Sequence, residues 1–322
     1  MAQAMGFMTD TTLCIGCKAC EVACKEWNQL PATGGGANTL SGDSYDNTVR
    51  LDGENWRHVR FVEQFDVFDP HRNGGRWLLM SDVCKHCVQA GCLEVCPTGA
   101  IIRTEFDTVV IQSDVCNGCR YCIAACPFDV IGINQANNTA MKCTLCYDRL
   151  QGGLTPACAQ ACPTASIQFG PLHDLQARGR KRVEQLHASG ESRAYLYGVE
   201  GDGYTDQIGG LNAFFLLVDP PETYRLPSRP TLPSRSTVPD WLAGWGSALV
   251  AGVVGLLAFR QRRMASVDAG REIPRPEIPS RPETPARPAA TPARPRTPAA
   301  PPSAASAPAN REYTPTGDQG EA

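Results

Sequence analysis

The sequence lacks the features that mark most enzymes and nucleic-acid-binding proteins. Its 322 residues carry a net charge of −3, so the composition indicates no nucleic-acid partner. It contains no phosphate-binding glycine loop, no catalytic triad and no paired-carboxylate constellation. No Cys-x2-Cys pair is followed by His, which excludes covalent attachment of a c-type haem. We therefore expect no active site on this chain.

The start of the chain lacks the parts of a secretory signal. Residues 1–8 contain neither a basic stretch nor a long apolar run, and a signal peptide needs both. We expect the chain to carry no export signal of its own.

Cysteine, by contrast, is abundant and regularly spaced. All 16 cysteines fall into four motifs of four, with none left over. The motifs are Cys14-x2-Cys17-x2-Cys20-x3-Cys24, Cys84-x2-Cys87-x4-Cys92-x3-Cys96, Cys116-x2-Cys119-x2-Cys122-x3-Cys126 and Cys143-x2-Cys146-x11-Cys158-x3-Cys162. The last three end in Cys-Pro, whereas the first has Lys25 in the place of the proline.

Three closely spaced cysteines followed by one before proline are the signature of bacterial ferredoxins. Three thiolates hold one [4Fe–4S] cluster and the fourth binds the partner cluster. Zinc sites draw four ligands from two separated pairs, and disulfide frameworks suit small secreted domains. The pattern favours four [4Fe–4S] clusters strongly over zinc, and zinc over disulfides.

Distance along the chain predicts which cysteines share a cluster. The second and third motifs flank residues 100–111, which read as a β-hairpin, as in a two-cluster ferredoxin. We call the four cysteines predicted to bind one cluster a set. Set 2, for cluster 2, is Cys84, Cys87, Cys92 and Cys126. Set 3, for cluster 3, is Cys116, Cys119, Cys122 and Cys96. By elimination, set 1 is Cys14, Cys17, Cys20 and Cys162, and set 4 is Cys143, Cys146, Cys158 and Cys24.

The predicted fold class is α+β, with two ferredoxin-like two-cluster modules, one inserted in the other. A single C-terminal transmembrane helix and a disordered tail complete the prediction. The segments are residues 8–30 with 136–218 for clusters 1 and 4, 31–79 for a connecting loop and strands, 80–135 for clusters 2 and 3, 219–239 for an extended linker, 240–260 for the transmembrane helix, and 261–322 for the Pro/Ala/Arg-rich tail.

Apolar patterns predict the remaining elements. Val59, Phe61, Phe65 and Val67 alternate, which indicates a half-buried strand over residues 57–68. Further strands are expected at 77–80, 166–169 and 213–218, the last one buried, and a surface helix at 174–187 with its arginines solvated. The glycine-rich loop of residues 31–55 is either a partner-binding surface, which we favour, or disordered.

Charged residues beside the cysteines have two interpretations. Lys85 and His86 lie between Cys84 and Cys87, where we expect them close to a cluster without binding iron. Lys142 precedes Cys143, so it either favours the reduced cluster electrostatically or is an ordinary surface lysine.

Residues 241–259 contain no charge and make a helix about 28 Å long, enough to cross a bilayer core. Trp241 and Trp245 suit one membrane interface, and Arg260, Arg262 and Arg263 suit the other. The arginines place the C-terminal end in the cytoplasm and the cluster-bearing body outside it. Small residues at four-residue spacing suggest a membrane partner. The alternative is a buried core helix.

Longer stretches of the sequence resemble the iron–sulfur (β) subunit of formate dehydrogenase. They are residues 14–28, 118–128, 142–149, 156–163, 194–198 and 219–227, so that the resemblance covers about residues 9–260. Trp27-Asn28 and the C-terminal helix favour formate over the related subunits of nitrate, dimethyl sulfoxide or polysulfide reductases and hydrogenases. A zinc protein tethered to membranes is the alternative from another class.

The resemblance implies an electron wire through four [4Fe–4S] clusters. It would join a molybdenum or tungsten bis-pterin catalytic subunit, where formate is oxidised, to a membrane cytochrome b and quinone. It also implies export in the folded state on the twin-arginine signal of the catalytic partner. The chain would then lie in the inner membrane, with its body in the periplasm.

Overall fold

The computed structural model describes residues 3–32, 45–46, 48–64 and 75–268, with the backbone alone at 236–239 and 268. The predicted loop at residues 31–55 therefore falls largely outside the described residues. Two compact units are distinguished, one ending at Leu257 and the other beginning at Ala258. All 16 cysteines lie in the first unit.

A four-stranded sheet combines the start of the chain with segments far along it. Its order is β8 (Ile167–Pro171), β1 (Met5–Asp10), β10 (Ala213–Leu217) and β9 (Tyr195–Tyr197). Strand β1 runs antiparallel to β8 and parallel to β10, and β9 runs antiparallel to β10. Every residue of β10 is buried, as its continuous apolar run predicts.

Three hairpins account for the other named strands in the described ranges. They are β2 (Arg57–Gln64) with β3 (Arg76–Val83), β4 (Ile101–Arg103) with β5 (Val109–Ile111), and β6 (Gly132–Ile133) with β7 (Ala140–Met141). The second hairpin confirms the one predicted between the second and third cysteine motifs. Strand β8 confirms the one predicted after the fourth motif.

Strand β2 differs from the predicted half-buried alternation. Its first four residues, Arg57, His58, Val59 and Arg60, are all buried, whichever face they occupy. The reason is that β2 packs against other elements as well as pairing with β3, namely helix α1 (Ala19–Asn28) and the 3₁₀ turn Pro221–Tyr224. Phe65 and Val67, which helped to suggest the alternation, lie outside the described residues.

Short helices carry the cysteine motifs. Besides α1, they are α2 (Gly91–Glu94), α3 (Tyr121–Ala124), α4 (Tyr147–Gln151) and α5 (Ala157–Gln160). Left-handed residues lead into three of them, at Lys18, Arg120 and Cys146. Lys18 and Arg120 lie between the cysteines of a loop and the first cysteine of a helix, whereas Cys146 is itself a predicted ligand and α4 contains no cysteine.

Helix α6 (Leu172–Ala188) confirms the predicted helix, with one correction to its basic face. Arg178 is exposed, as expected. Arg182, however, is not simply solvated, because its Nε lies 3.1 Å from the Oδ2 of Asp10, whose side chain is buried. The helix is thereby tied to the end of strand β1.

The segment from residue 219 to residue 232 is not the extended linker that was predicted. It contains the 3₁₀ turn Pro221–Tyr224, and it buries Tyr224, Leu226 and Leu232. Prolines do not prevent this, because the first turn of a helix needs no N–H donor. The apolar side chains between the prolines decide the outcome by packing into the core.

Helix α7 (Pro233–Asp268) is longer than the span predicted at residues 240–260. By length and composition, it is the one helix among the described residues that is long and apolar enough to cross a membrane. Its most apolar stretch has a mean hydropathy of 1.9, and none of that stretch is buried. The first residues of the predicted disordered tail, 261–268, are helical. Residues 269–322 lie outside the described part.

Candidate metal-cluster sites

The four cysteines of set 2 line one cavity. Cys84, Cys87, Cys92 and Cys126 surround it, together with Lys85, His86, Phe128 and Lys142. The first three come from the second motif, whereas Cys126 comes from the third. Helices α2 and α3 pack together and bring the two motifs to the same place.

The four cysteines of set 1 line a second cavity. Cys14, Cys17, Cys20 and Cys162 face it, and Ser81, Val59 and Ile167 complete its wall. The pairing of β1 with β8 and the packing of α1 against α5 bring the first and fourth motifs together.

The cysteines of sets 3 and 4 are also close electrostatic neighbours. Burial raises the pKa of Cys122 to about 11, and the nearby thiolates of Cys116, Cys119 and Cys96 act in the same direction. Burial also raises the pKa of Cys24, and the nearby thiolates of Cys158 and Cys146 raise it further. Cys143 in turn has Cys24 and Cys146 as neighbours.

The donor chemistry fits iron–sulfur clusters. All 16 cysteines are free thiols. Within the described ranges, no group of three or more His, Cys, Asp or Glu side chains is gathered as for a single metal ion. Four cysteines around a shared cavity are the ligand set of a [4Fe–4S] cube.

Burial makes these thiols reluctant to ionise. It raises the pKa of Cys20 and Cys92 to about 12, and that of Cys87 and Cys143 well above the ordinary value. Only the thiolate binds iron. Binding to iron must therefore supply the free energy that removes the protons of these buried thiols, which couples cluster insertion to folding.

Two glycines inside the motifs are required by their surroundings. Gly16, between Cys14 and Cys17, has φ +68°, and a Cβ there would lie 2.9 Å from the ring of Phe61. Gly118 holds the corresponding place in the third motif with φ +70°, and a Cβ there would overlap the backbone oxygen of Asn138. Both positions need the left-handed conformation and the absence of a side chain.

A buried arginine between sets 1 and 4 was not foreseen. The Nη2 of Arg57 donates to the Sγ of Cys158 over 3.1 Å, and its guanidinium lies 4.9 Å from the centre of the Phe7 ring. Burial by itself lowers the pKa of Arg57, but the thiolates of Cys158 and Cys20 raise it above the ordinary value. The alternation in the sequence of β2 holds no signal for this position, because arginines in a strand normally face solvent.

Lys142 is 2% exposed, so the surface-lysine alternative is wrong. Its Nζ donates to the carbonyl oxygens of Val109 and Cys143 and lies beside the set 2 cavity. Burial lowers the pKa of Lys142, but the thiolates of Cys84 and Cys92 outweigh this and raise it. A fixed positive charge therefore lies next to cysteines of sets 2 and 4.

Lys85 and His86, the pair inside the second motif, are both buried. Lys85 forms an ion pair with Asp82, which Arg60 also contacts at 2.8 Å. Burial raises the pKa of Asp82, but Lys85 and Arg60 lower it to about 2. Burial and Lys142 hold the pKa of His86 well below its usual value, and its Nδ1 accepts a hydrogen bond from the Val109 N–H. His86 is therefore neutral, with its proton on Nε2.

Trp27 and Asn28 hold helix α1 in place. The Nε1 of Trp27 donates to Asp148 over 2.8 Å, and the guanidinium of Arg149 lies 4.2 Å from the Trp27 ring centre. Asn28 donates to the carbonyl oxygen of Cys24 over 2.8 Å. The contacts of Trp27 thus join helix α1 to helix α4 in the fourth motif, whereas the hydrogen bond of Asn28 lies within α1.

Known proteins agree with this chemistry. Two family models described as 4Fe-4S dicluster domains match residues 13–100 and 75–172. By fold and site, the protein is thus a 4Fe–4S dicluster protein of the ferredoxin type, with mixed helices and strands. The two matches overlap and do not divide the chain into modules.

The chain is 39% identical over 257 residues to the Formate dehydrogenase-O iron-sulfur subunit of Escherichia coli (strain K12), covering 78% of this chain and 79% of the relative. It is 40% identical over 231 residues to the Formate dehydrogenase iron-sulfur subunit of Haemophilus influenzae, covering 70% and 69%. It belongs to the family of formate dehydrogenase iron–sulfur subunits. The resemblance inferred from the motifs is confirmed, and so is the electron-transfer role.

A more distant relative limits the alternatives. The B subunit of the anaerobic dimethyl sulfoxide reductase of Escherichia coli is 34% identical over 178 residues, which cover 55% of this chain and 78% of the relative. Because this match is weaker and covers less of the protein, a subunit of another bis-pterin oxidoreductase is not favoured.

Proposed function

We propose that this chain is the electron-transfer subunit of a membrane-bound formate dehydrogenase. It relays electrons from a molybdenum or tungsten bis-pterin catalytic subunit, where formate is oxidised, to a membrane cytochrome b and quinone. The chain itself has no active site. The observation that carries the proposal is the presence of 16 free cysteines, of which two groups of four line separate cavities, in a member of this family.

The proposed ligands follow the four sets. They are Cys14, Cys17, Cys20 and Cys162 for cluster 1, Cys84, Cys87, Cys92 and Cys126 for cluster 2, Cys116, Cys119, Cys122 and Cys96 for cluster 3, and Cys143, Cys146, Cys158 and Cys24 for cluster 4. Two of the sets line cavities, and the other two consist of electrostatic neighbours. Both observations support this assignment.

When bound, each [4Fe–4S] cluster accepts and releases a single electron. The chain supplies a thiolate for each iron, which leaves no iron free for a substrate. Its short helices and left-handed turns hold those thiolates in position, and the burial of seven of the cysteines, with partial burial of seven more, limits the access of water. The chain thus conducts electrons and performs no bond chemistry.

Contacts between sets suggest the order of the wire. Cys20 of set 1 has Cys158 of set 4 as a neighbour, and Cys143 of set 4 has Cys84 of set 2. Cys92 of set 2 in turn has Cys122 of set 3. We infer the order 1–4–2–3, in which sets 4 and 2 join the two modules.

We also propose the modular arrangement, with residues 80–135 inserted between 8–30 and 136–218. Strand β1 pairs with β8 and β10, both of which follow the inserted segment in sequence, and this pairing supports the proposal. Helix α7 is proposed as the inner-membrane anchor. Its arginines at residues 260, 262 and 263 favour a cytoplasmic C-terminal tail and a periplasmic body.

Purification of the native complex tests the function. We expect a large bis-pterin subunit and a cytochrome b to co-purify, formate to reduce an added dye, and about 16 iron atoms with equal acid-labile sulfide per chain. Stoichiometric zinc without sulfide would refute the cluster proposal. An iron-loaded complex that is inert to formate but reduces dimethyl sulfoxide would favour the second candidate, to which the similarity to the dimethyl sulfoxide reductase subunit points.

A further inference from the structure

A hydrogen-bonded path connects a cysteine of set 4 to a cysteine of set 1 through two side chains. The Nη2 of Arg57 donates to the Sγ of Cys158 over 3.1 Å, and its Nη1 donates to the Oγ of Ser81 over 3.3 Å. The same Oγ lies 3.2 Å from the Sγ of Cys20. Because this oxygen accepts from Arg57, its own hydrogen is free to point at the sulfur.

The path is enclosed by protein. Arg57 is 2% and Ser81 is 1% exposed, and both cysteines are buried. Strands β2 and β3 hold the two side chains side by side, because Val59 pairs with Ser81 and Arg57 pairs with Val83. The β2–β3 hairpin, predicted only as a connection before the second motif, thus contributes to the space between two cluster sites.

Arg57 differs from the neighbouring Arg60 in the partner of its charge. Among the residues that the structure describes, no Asp or Glu forms an ion pair with Arg57, whereas Arg60 on the same strand pairs with Asp82. A buried charge is costly unless an opposite charge accompanies it. The opposite charges next to Arg57 are the thiolates of sets 1 and 4.

We propose that Arg57 is a positioning residue shared by clusters 1 and 4, which raises the reduction potential of both through its charge, its hydrogen bond to Cys158 and its link through Ser81 to Cys20. This inference rests on the proposed ligand sets. A fixed positive charge and hydrogen bonds to ligand sulfur both stabilise the reduced, more negative cluster. Without Arg57, electrons would enter both clusters less readily.

The primary test is Arg57→Gln in the intact complex, with each cluster followed by electron paramagnetic resonance during a redox titration. We expect the midpoint potentials of clusters 1 and 4 to fall by at least a tenfold change in the reduction equilibrium, about 59 mV for one electron. Those of clusters 2 and 3 should stay unchanged. The matched control is Arg178→Gln, which removes an exposed arginine bonded to Gln168 and should move no potential.

Two further variants separate charge from structure. Arg57→Lys keeps the charge and should restore part of the shift. Ser81→Ala removes only the link to Cys20 and should lower the potential of cluster 1 more than that of cluster 4. If Arg57→Gln loses iron, Ser81→Ala decides the question, because it leaves the guanidinium in place.

The inference is overturned if Arg57→Gln retains its full iron and sulfide and leaves both potentials unmoved. It is equally overturned if an iron-loaded Ser81→Ala variant leaves cluster 1 unchanged. Failure of the proposed function is a separate result, because it is observed in the unaltered complex as missing iron and sulfide or as inertness toward formate.

Discussion

Sets 3 and 4 make the same kind of site in opposite surroundings. All four cysteines of set 4 are buried, and the charges of Arg57 and Lys142 lie beside them. In set 3, Cys119 is exposed and only Cys122 is buried. Burial raises the pKa of Cys96 in set 3, but hydrogen bonds from backbone N–H groups and Thr98 together outweigh it and lower the pKa. Protein charges therefore lie beside the proposed site of cluster 4, whereas the proposed site of cluster 3 includes a solvent-exposed cysteine.

The largest effect is expected when one cysteine ligand is replaced in each of the two sets. Cys158→Ser removes a buried sulfur that Arg57 contacts, so it should prevent assembly of the whole complex. Cys119→Ser alters an exposed loop, so we expect a folded complex that lacks cluster 3 or holds it weakly. Yield of the complex and iron per chain measure both outcomes. Equal losses in the two variants would contradict the difference between interior and surface sets.

The next prediction concerns the fourth cysteine of sets 2 and 3, which each set takes from the motif of the other. Cys126→Ser should damage cluster 2, whose cavity it lines, more than cluster 3, whose motif contains it. Cys96→Ser should do the reverse, which makes the two variants controls for each other. Cluster-resolved electron paramagnetic resonance distinguishes them. Loss of cluster 3 in the first variant would mean that each motif binds its own cluster.

Asp82→Asn tests the buried ion pairs that Asp82 forms with Lys85 and Arg60 near the set 2 cavity. The substitution leaves Lys85 and Arg60 buried without their shared carboxylate, so we expect a loss of about 3–5 kcal/mol in the free energy of unfolding. Denaturation of the iron-loaded complex followed by cluster absorbance measures it. Asp174→Asn, at an exposed carboxylate on α6, is the control and should change nothing measurable. An equal, small effect in both would show that the buried network adds no stability.

Lys142→Gln should have a smaller effect, confined to electron affinity. Because Lys142 lies near Cys84, Cys92 and Cys143, its removal should lower the potentials of clusters 2 and 4 by about 59 mV or less and leave cluster 1 unchanged. Redox titration gives the values, with the exposed Lys181→Gln as control. A shift confined to cluster 3 would contradict the proposed position of this charge in the wire.

Elements with a local signal were predictable. Cysteine spacing predicted the cluster chemistry, and the apolar run of β10 predicted a buried strand. The hairpin of β4 and β5 followed from two short apolar runs around a turn. Each of these signals lies within a few neighbouring residues, so nothing distant had to be known.

Predictions failed where distant parts of the chain meet. Proline content suggested an extended linker, but Tyr224 and Leu232 are buried. Alternation suggested a half-exposed strand, but α1 and a 3₁₀ turn cover β2. For Lys142, the sequence allowed a surface position and a buried one, because burial depends on residues far away in the chain.

The sequence by itself determined the cofactor chemistry, since the spacing of cysteine ligands around a cluster depends on only a few neighbouring residues. It also determined the apolar C-terminal helix, whose composition is local. Only the tertiary structure decided which sets are neighbours and which charges lie between them. Arg57 and Ser81 come near Cys158 and Cys20 only after strands, helices and motifs from distant parts of the sequence have packed together.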